Sequence, residues 1–358
     1  MDYKFLQVSK SATNEVLEIL NHNIIGTPGV SMLYKHMNVR DKIDRIWNPY
    51  FVSLMKGTKL IGTCCFCRRM TANAGREIHS FYVRYFSFKH GYRKNRNTER
   101  SISGTSLLKE EVKSVLAGKV LGVNPNERFY HYAYVDPRNI RSARLCKEFG
   151  FEPVRNYTTI IFNRIVPKDD SKPKIVEVSP ADEVMVRKLL SDFYKNFTMF
   201  SFDNLFHDHK YYVIKNRDNK IVAGVQANPD QWKILSLPGI SGKLIMNTFT
   251  HIPVLNRLFN KNYRFLTLEG IYYTAGYEHY LEILFESLLA KYKLNSAIIV
   301  VDSETQLYKI LKSLNLGLVD KLNKEVNGNV ICKFINFTNE EKQSFKTHSA
   351  YVSGIDVT

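Results

Sequence analysis

Short apolar bursts with strand-like alternation and amphipathic stretches with helical spacing follow one another along the whole chain. YKFLQVS (3–9) reads as a strand, and SATNEVLEILNHNI (11–24) as a helix with Ser9 as its candidate N-cap. PYFVSLM, a KGT turn and KLIGTCCFC (49–67) read as a hairpin. A long strand (77–88), a helix (101–116), an apolar strand (128–135), a shorter helix and final strands complete the series. The same order then returns. KIVEVS (174–179) precedes a helix over ADEVMVRKLLSDFYKNF (181–197), with Ser179 as N-cap and Pro180 in the first turn. YYVIK, an NRDN turn and KIVAGVQA (211–227) form the matching hairpin. Between the two series lies VPKDDSKPKI (166–175), with two prolines and no apolar periodicity before Ile175. The pattern predicts an internal duplication of about 165 residues, legible in the order of elements more than in identity.

Two hairpin strands followed by strand–helix–strand–helix–strand predict an α/β (α+β) fold with a mixed, mainly antiparallel sheet flanked by helices in each half. The expected division is a first domain at 1–166, a linker at 167–173, a second domain at 174–340 and a C-terminal tail at 341–358. A length of 358 residues suits two cores, and 44% apolar with 24% charged residues is ordinary for globular chains. No stretch approaches the ~20 apolar residues of a membrane span. MDYKFLQVSK lacks an apolar signal core, and Cys64, Cys65 and Cys67 have no disulfide-like spacing, so the expectation is a cytoplasmic protein. The net charge of +17 is uneven: residues 1–165 hold 27 Lys and Arg against 13 Asp and Glu, and residues 166–358 hold 24 against 21. Such asymmetry points to a polyanion on the first half, either a phosphate-rich cofactor or a nucleic acid; a basic surface that serves solubility alone is the plainer reading.

FYHYAYVDPRNIRSARLCKEFGF (129–151) joins an apolar strand to Asn139, Ser142, Leu145, Gly150 and Phe151 at spacings that resemble the GNAT N-acetyltransferases. Cys146 stands where many members carry a tyrosine. FSFKHGYRK (86–94) resembles the family's fourth strand and the opening of its pyrophosphate loop, and SISGTSLLKEEVKSVL (101–116) the helix that follows. About six residues within NRNTERS look inserted relative to the compact family loop, and Arg100 stands one place out of register. The physical logic is independent of the resemblance. A helix start offers unpaired N–H groups and a positive dipole end. Ser103, Gly104 and Thr105 let backbone come close, while Lys89, Arg93, Lys94, Arg96 and Arg100 surround that point.

The resemblance implies an acyl-CoA-dependent N-acyltransferase, with acetyl-CoA or another acyl-CoA inserted between splayed strands at 77–88 and 128–135. Backbone N–H groups near Phe86 and Phe88 would polarise the thioester carbonyl. Arg93, Lys94, Arg100, Ser103, Gly104, Thr105 and Asn139 would bind the cofactor. Tyr82 is nearest the family's general-base position, with His79 and Glu77 further back, and Cys146 replaces the proton donor to the leaving thiolate. Core packing competes with chemistry at both Tyr82 and Cys146. In the second half, FLTLEGIYYTAGYEHYLEILFESLLA (265–290) has no Lys or Arg but carries Glu269, Glu278, Glu282 and Glu286, which reads as a degenerate copy. Tyr308 there matches the family tyrosine, so the reverse assignment of activity stays open.

Two other functions fit the same fold: transfer of an aminoacyl group from charged tRNA, and CoA binding without turnover. The resemblance implies an amine acceptor on a small molecule or peptide, held between the first helix and the second strand, here residues 24–47; a nucleic-acid partner is the lesser expectation. No metal site is expected, since His207 and His209 have no companion ligands, and no membrane partner is expected.

Overall fold

The computed structural model describes residues 3–89, 107–169, 173–206, 210–322 and 326–358. The first half runs β1 (Leu6–Ser9), α1 (Asn14–Asn21), β2 (Leu33–His36), α2 (Val39–Asp44), β3 (Pro49–Lys56), β4 (Lys59–Asn73), β5 (Arg76–Phe88), α3 (Leu107–Leu116), β6 (Phe129–Val135), α4 (Ile140–Glu148) and β7 (Glu152–Asn163). The second half runs β8 (Val176–Glu177), α5 (Glu183–Phe193), β9 (Tyr211–Lys215), β10 (Ile221–Ser236), α6 (Gly239–Thr248), α7 (Pro253–Asn256), β11 (Asn262–Tyr273), α8 (His279–Tyr292), β12 (Ser296–Asp302), α9 (Gln306–Ser313), α10 (Leu318–Leu322) and β13 (Val326–Ile335). Two helices, α11 (Asn339–Thr347) and α12 (Gly354–Val357), close the chain. The mixed, mainly antiparallel sheet with flanking helices is the architecture the sequence predicts.

Two helix starts differ from expectation. Thr13, not Ser9, caps α1 by accepting from the Val16 N–H, because Ser9 still belongs to β1 and its hydroxyl donates to the Ser11 carbonyl. Asp182 occupies the N-cap position of α5, and Ser179 instead accepts from the Asp182 N–H and donates to its carboxylate. Both starts keep the local hydrogen-bonding chemistry of a cap and shift it along the chain.

One 13-stranded sheet runs β1-β3-β4-β5-β6-β13-β7-β12-β11-β10-β9-β8, with β2 added on β10. The halves exchange strands. β13, from the second half, pairs antiparallel with β6 from Asn329↔Val135 to Ile335↔Phe129 and on its other edge with β7. β7, from the first half, pairs with β12 from Ser296↔Asn163 to Asp302↔Tyr157. β2 crosses over as well, pairing Trp232 with His36. The largest apolar cluster accordingly draws Val16, Phe51 and Tyr130 from the first half and Phe265, Ile298 and Phe345 from the second.

The two halves repeat one irregularity. β5 skips Tyr85 and Phe86 against Cys64 of β4, and β11 skips Gly270 and Ile271 against Val225 of β10. Tyr85 (φ 57°) and Gly270 (φ 61°) both adopt the left-handed conformation at the bulge. Glycine takes that conformation freely, whereas tyrosine does so at a cost of about 1–2 kcal/mol. Beyond each bulge the neighbouring parallel strand parts. β5–β6 pairing ends at Tyr82↔Tyr132 although β5 continues to Phe88, and β11–β12 pairing ends at Leu268↔Ile299 although β11 continues to Tyr273. The splayed pair expected at 77–88 and 128–135 is present, and the second half has its own.

Strand exchange makes a test possible. Residues 1–169 and 173–358 produced separately are expected to lack a cooperative unfolding transition, and to recover one by urea titration when co-expressed. A cooperative transition in either fragment alone would contradict an obligatory exchange.

Candidate functional site

Alternation along β4, β5 and β6 puts Arg69, Tyr82, Arg84, Tyr132 and Tyr134 on one face, beside the seam between the halves. The segment after α11 enters this seam and ends in α12. Asp356, fully buried at its side chain, meets Arg69 there: Nη1 donates to Oδ2 at 2.5 Å and Nη2 to Oδ1 at 2.8 Å. Asn204 donates to Asp356 Oδ1 at 2.9 Å, and Arg84 Nη1 lies 3.7 Å from the same oxygen. Burial opposes the Asp356 charge, but Arg69, Arg84 and Asn204 outweigh it and hold the carboxyl below its usual range. Arg69 also donates to the Tyr132 hydroxyl at 2.9 Å, and the Tyr82 hydroxyl donates to the Asp356 carbonyl at 2.8 Å.

Glu269 approaches the same seam from β11, one residue before the bulge. Its carboxylate accepts from the Tyr351 hydroxyl at 3.0 Å and from the Ile355 N–H at 3.1 Å. Burial, reinforced by the Asp356 charge, raises its pKa from 4.5 to about 7. It lines a small recess with Arg69, Tyr134, Asp203, Asn204 and Ser353.

The two splayed clefts differ. The second is filled by the chain itself: Ala350, Tyr351 and Val352 lie against Leu268–Ile271 and Val300–Asp302. The Ala350 N–H donates to Asp302 Oδ2 at 2.8 Å and the Tyr351 N–H to the Thr198 carbonyl at 2.8 Å. In the turn before α8 the Glu278 carboxylate accepts from the Gly276 N–H at 3.0 Å, and backbone N–H groups hold it below the usual carboxylate range. The equivalent bulge residues give the contrast a number: Phe86 is 51% exposed and Ile271 only 3%. At the first bulge, Arg84 Nε and the Tyr85 hydroxyl are buried without a hydrogen-bond partner among the described residues.

Of the residues singled out in the sequence, Phe86 and Phe88 sit together on β5 beyond the bulge, their rings 5.1 Å apart. Asn139 caps α4, accepting from the Ser142 N–H at 3.2 Å. Cys146 is half-buried on α4, and burial pushes its thiol up to about 11. Tyr82 is buried with its pKa driven up, first by desolvation and then by Asp356, and its hydroxyl donates to the Asp356 carbonyl, in keeping with the packing alternative. Arg93, Lys94, Arg96, Arg100, Ser103, Gly104 and Thr105 lie outside the described residues, as do His207 and His209. No cluster of metal-ligating side chains occurs among the described residues. Residues 24–47, expected to hold an acceptor, supply β2 and α2, and Lys42 of α2 forms a 2.6 Å ion pair with Asp230 of β10. Sequence reasoning missed Arg69, Arg84 and Asp356, and passed over Glu269 although a carboxylate inside FLTLEGIYY is a signal in its own right.

No protein-family model matches the chain, and no curated protein matches it in sequence. Solved structures do match. Saccharomyces cerevisiae N-myristoyltransferase with bound myristoyl-CoA aligns at a TM-score of 0.59 with 11% identity, over 98% of this chain and 90% of that one. Another structure of the yeast enzyme with bound myristoyl-CoA gives 0.56 with 11% identity, over 98% and 85%. A third, with myristoyl-CoA and inhibitors, gives 0.52 with 12% identity, over 100% and 87%. The likeness is one of fold: the chain shares the overall fold of the yeast N-myristoyltransferase. No helix among the described residues is long and apolar enough to cross a membrane.

The raised Glu269 pKa carries a stability consequence with a definite sign. A group whose folded pKa lies above its unfolded value favours the folded state most below the unfolded pKa, and that advantage is lost as pH rises through the folded pKa. For a shift from 4.5 to about 7 the loss is about 3 kcal/mol, complete above pH 7. Glu269→Gln is therefore expected to gain stability relative to wild type between pH 5 and pH 8 in urea titrations. An unchanged difference between the two pH values would count against the burial argument.

Proposed function

We propose that this protein is an acyl-CoA-dependent N-acyltransferase that takes its thioester in the first half, between β5 and β6. The carrying observation is the bulge-and-splay of those strands, with Phe86 exposed and Arg84 Nε and the Tyr85 hydroxyl unpartnered, beside a second splay that the chain itself fills. Free backbone of β5 past the bulge suits the amide-rich pantetheine arm, and N–H groups near Phe86 and Phe88 suit the thioester carbonyl oxygen. The basic residues Arg93, Lys94 and Arg100, with Ser103, Gly104 and Thr105 ahead of α3, are assigned to the CoA phosphates. Asn139 sets the start of α4, and Cys146 on that helix serves as the proton donor to the leaving sulfur; a thiol pushed up to about 11 carries its proton at neutral pH. The yeast enzyme structures hold myristoyl-CoA, which supports an acyl-CoA donor here. Acetyl-CoA is the donor proposed from the GNAT resemblance, and an amine is the acceptor.

The test is a thermal-shift series with acetyl-, octanoyl- and myristoyl-CoA, followed by thiol release in the presence of primary amines. Stabilisation by at least one thioester and amine-dependent release of CoA are expected, and neither occurring would overturn the assignment. Cys146→Ala is expected to lower turnover roughly ten-fold with little change in CoA affinity; an unaffected rate would return Cys146 to packing. Charged tRNA as donor would instead show binding that weakens steeply with salt.

A further inference from the structure

The hairpin that joins β10 to β11 differs from its equivalent in the first half. β4 turns into β5 through Ala74 and Gly75, whereas residues 237–261 separate Ser236 from Asn262 and supply α6, a 3₁₀ turn (Phe249–His251) and α7. The sheet does not need the extra length, since β4 and β5 pair without it. Its chemistry is one-sided. Residues 231–268 hold five Lys and Arg and no Asp or Glu, while the rest of 166–358 holds 19 against 21. Where the 3₁₀ turn meets α7, His251, Ile252, Pro253 and Val254 are all exposed, Ile252 at 41% and Val254 at 50%. Phe249 and Phe259, rings 5.5 Å apart, hold the arms on either side of that tip. Arg257 donates to the Ile165 carbonyl at 3.2 Å, which brings Val166, 62% exposed, beside the same element.

Backbone register supplies a second, independent observation. Trp232 and Tyr263 face the seam, so alternation places Lys233 and Arg264 on the opposite face of the sheet. β2 sets Lys35 directly opposite Lys233 on that face. Like charges in cross-strand positions destabilise the pair, and no ion pair of Lys35, Lys233, Lys261 or Arg264 is found among the described residues. From the acid-free composition, the exposed aliphatic tip and the facing lysines, we infer that this end of the β10–β11 hairpin docks on an anionic lipid surface. Headgroup phosphates and carboxylates compensate the cations, and Ile252 and Val254 enter the boundary beneath the headgroups. The residue types decide the partner. Single-stranded nucleic acid calls for exposed aromatic rings on which bases stack, and the exposed apolar residues here are aliphatic. Against a second copy the patch would set cations against cations. The expectation of no membrane partner followed from the absence of a ~20-residue apolar run, and a contact that lies on the bilayer needs no such run.

The test sediments the full chain with phosphatidylcholine vesicles and with equimolar phosphatidylcholine–phosphatidylserine vesicles, at low and at raised sodium chloride. Binding is expected with the mixed vesicles only, and it should weaken as salt rises. Ile252→Ser combined with Val254→Ser is expected to weaken it about ten-fold. Lys233→Gln combined with Arg264→Gln is expected to cost about five-fold for each cation removed. Both pairs should keep the cooperative urea transition and the thioester-induced thermal shift of wild type, since none of the four residues is placed in the acyl-transfer site. Lys233→Gln alone also relieves the facing lysines, so its urea midpoint should rise slightly while vesicle binding falls. A rise in midpoint with no loss of binding makes the cations a solvated face and overturns the inference. No sedimentation with the mixed vesicles overturns it, as does binding equal for the two compositions or untouched by either pair of substitutions. Self-association of wild type in place of vesicle binding, abolished by Ile252→Ser with Val254→Ser, would assign the tip to a second copy and overturn it too.

Discussion

Strand β13 lies between β6 and β7, and the arrangement of every group at the seam depends on that placement. Hydrogen bonding β13 to both strands of the first half carries α11 and residues 348–358 back over the sheet. Only then can Asp356 reach Arg69, Arg84 and Asn204, and only then can Tyr351 reach Glu269. Backbone pairing of this kind is obligatory, since an unpaired buried N–H or C=O has no water to turn to. The exchange therefore fixes the relative position of the two halves more firmly than side-chain packing across an interface would.

Charge burial gives the seam its character. An ion pair such as Arg69–Asp356 gains little net stability over an apolar pair, because desolvation cancels most of the attraction. Removing one partner is another matter: the charge left behind costs about 3–5 kcal/mol. The pair thus acts as a lock on the closing segment, supported by Tyr82 and Tyr132 hydroxyls. Glu269 has no such cation, which is why burial lifts its pKa toward 7 while the same environment holds Asp356 low. Two buried carboxylates shift in opposite directions because guanidinium groups offset burial at Asp356, while burial and the Asp356 charge act together at Glu269.

Duplication supplied two equivalent bulges and two splayed clefts, and the chain uses them differently. The second cleft receives residues 350–352, and an acidic residue, Glu278, stands at the start of the helix that follows it. At the first bulge the conformation that Gly270 adopts at no cost is forced on Tyr85, leaving a buried hydroxyl and the neighbouring guanidinium nitrogen unsatisfied. Among the described residues the first bulge thus keeps a strained tyrosine and two unmet polar atoms, where the second places a glycine.

Local pattern carried a large part of this. Hairpins at 49–67 and 211–227, the strands at 77–88 and 128–135 and the Asn139-to-Phe151 turn of helix were legible because periodicity, turn residues and caps act within a few residues. The resemblance carried by 86–94 and 129–151 gave the fold. Helix starts were misplaced by a few residues, at Ser9 and Ser179, since neighbouring polar residues compete for the same N–H groups. Tyr82 reads from sequence as packing or as a base, and the carbonyl that meets its hydroxyl belongs to residue 356, beyond any local pattern. Glu269 looked like one more acidic residue in a degenerate copy. By itself the sequence determined the elements and their repeated order, because those depend on neighbours along the chain. The exchange of β7 and β13, the filled cleft and the opposite pKa shifts of Glu269 and Asp356 were decided only by tertiary structure, because burial and electrostatics depend on residues hundreds of positions apart.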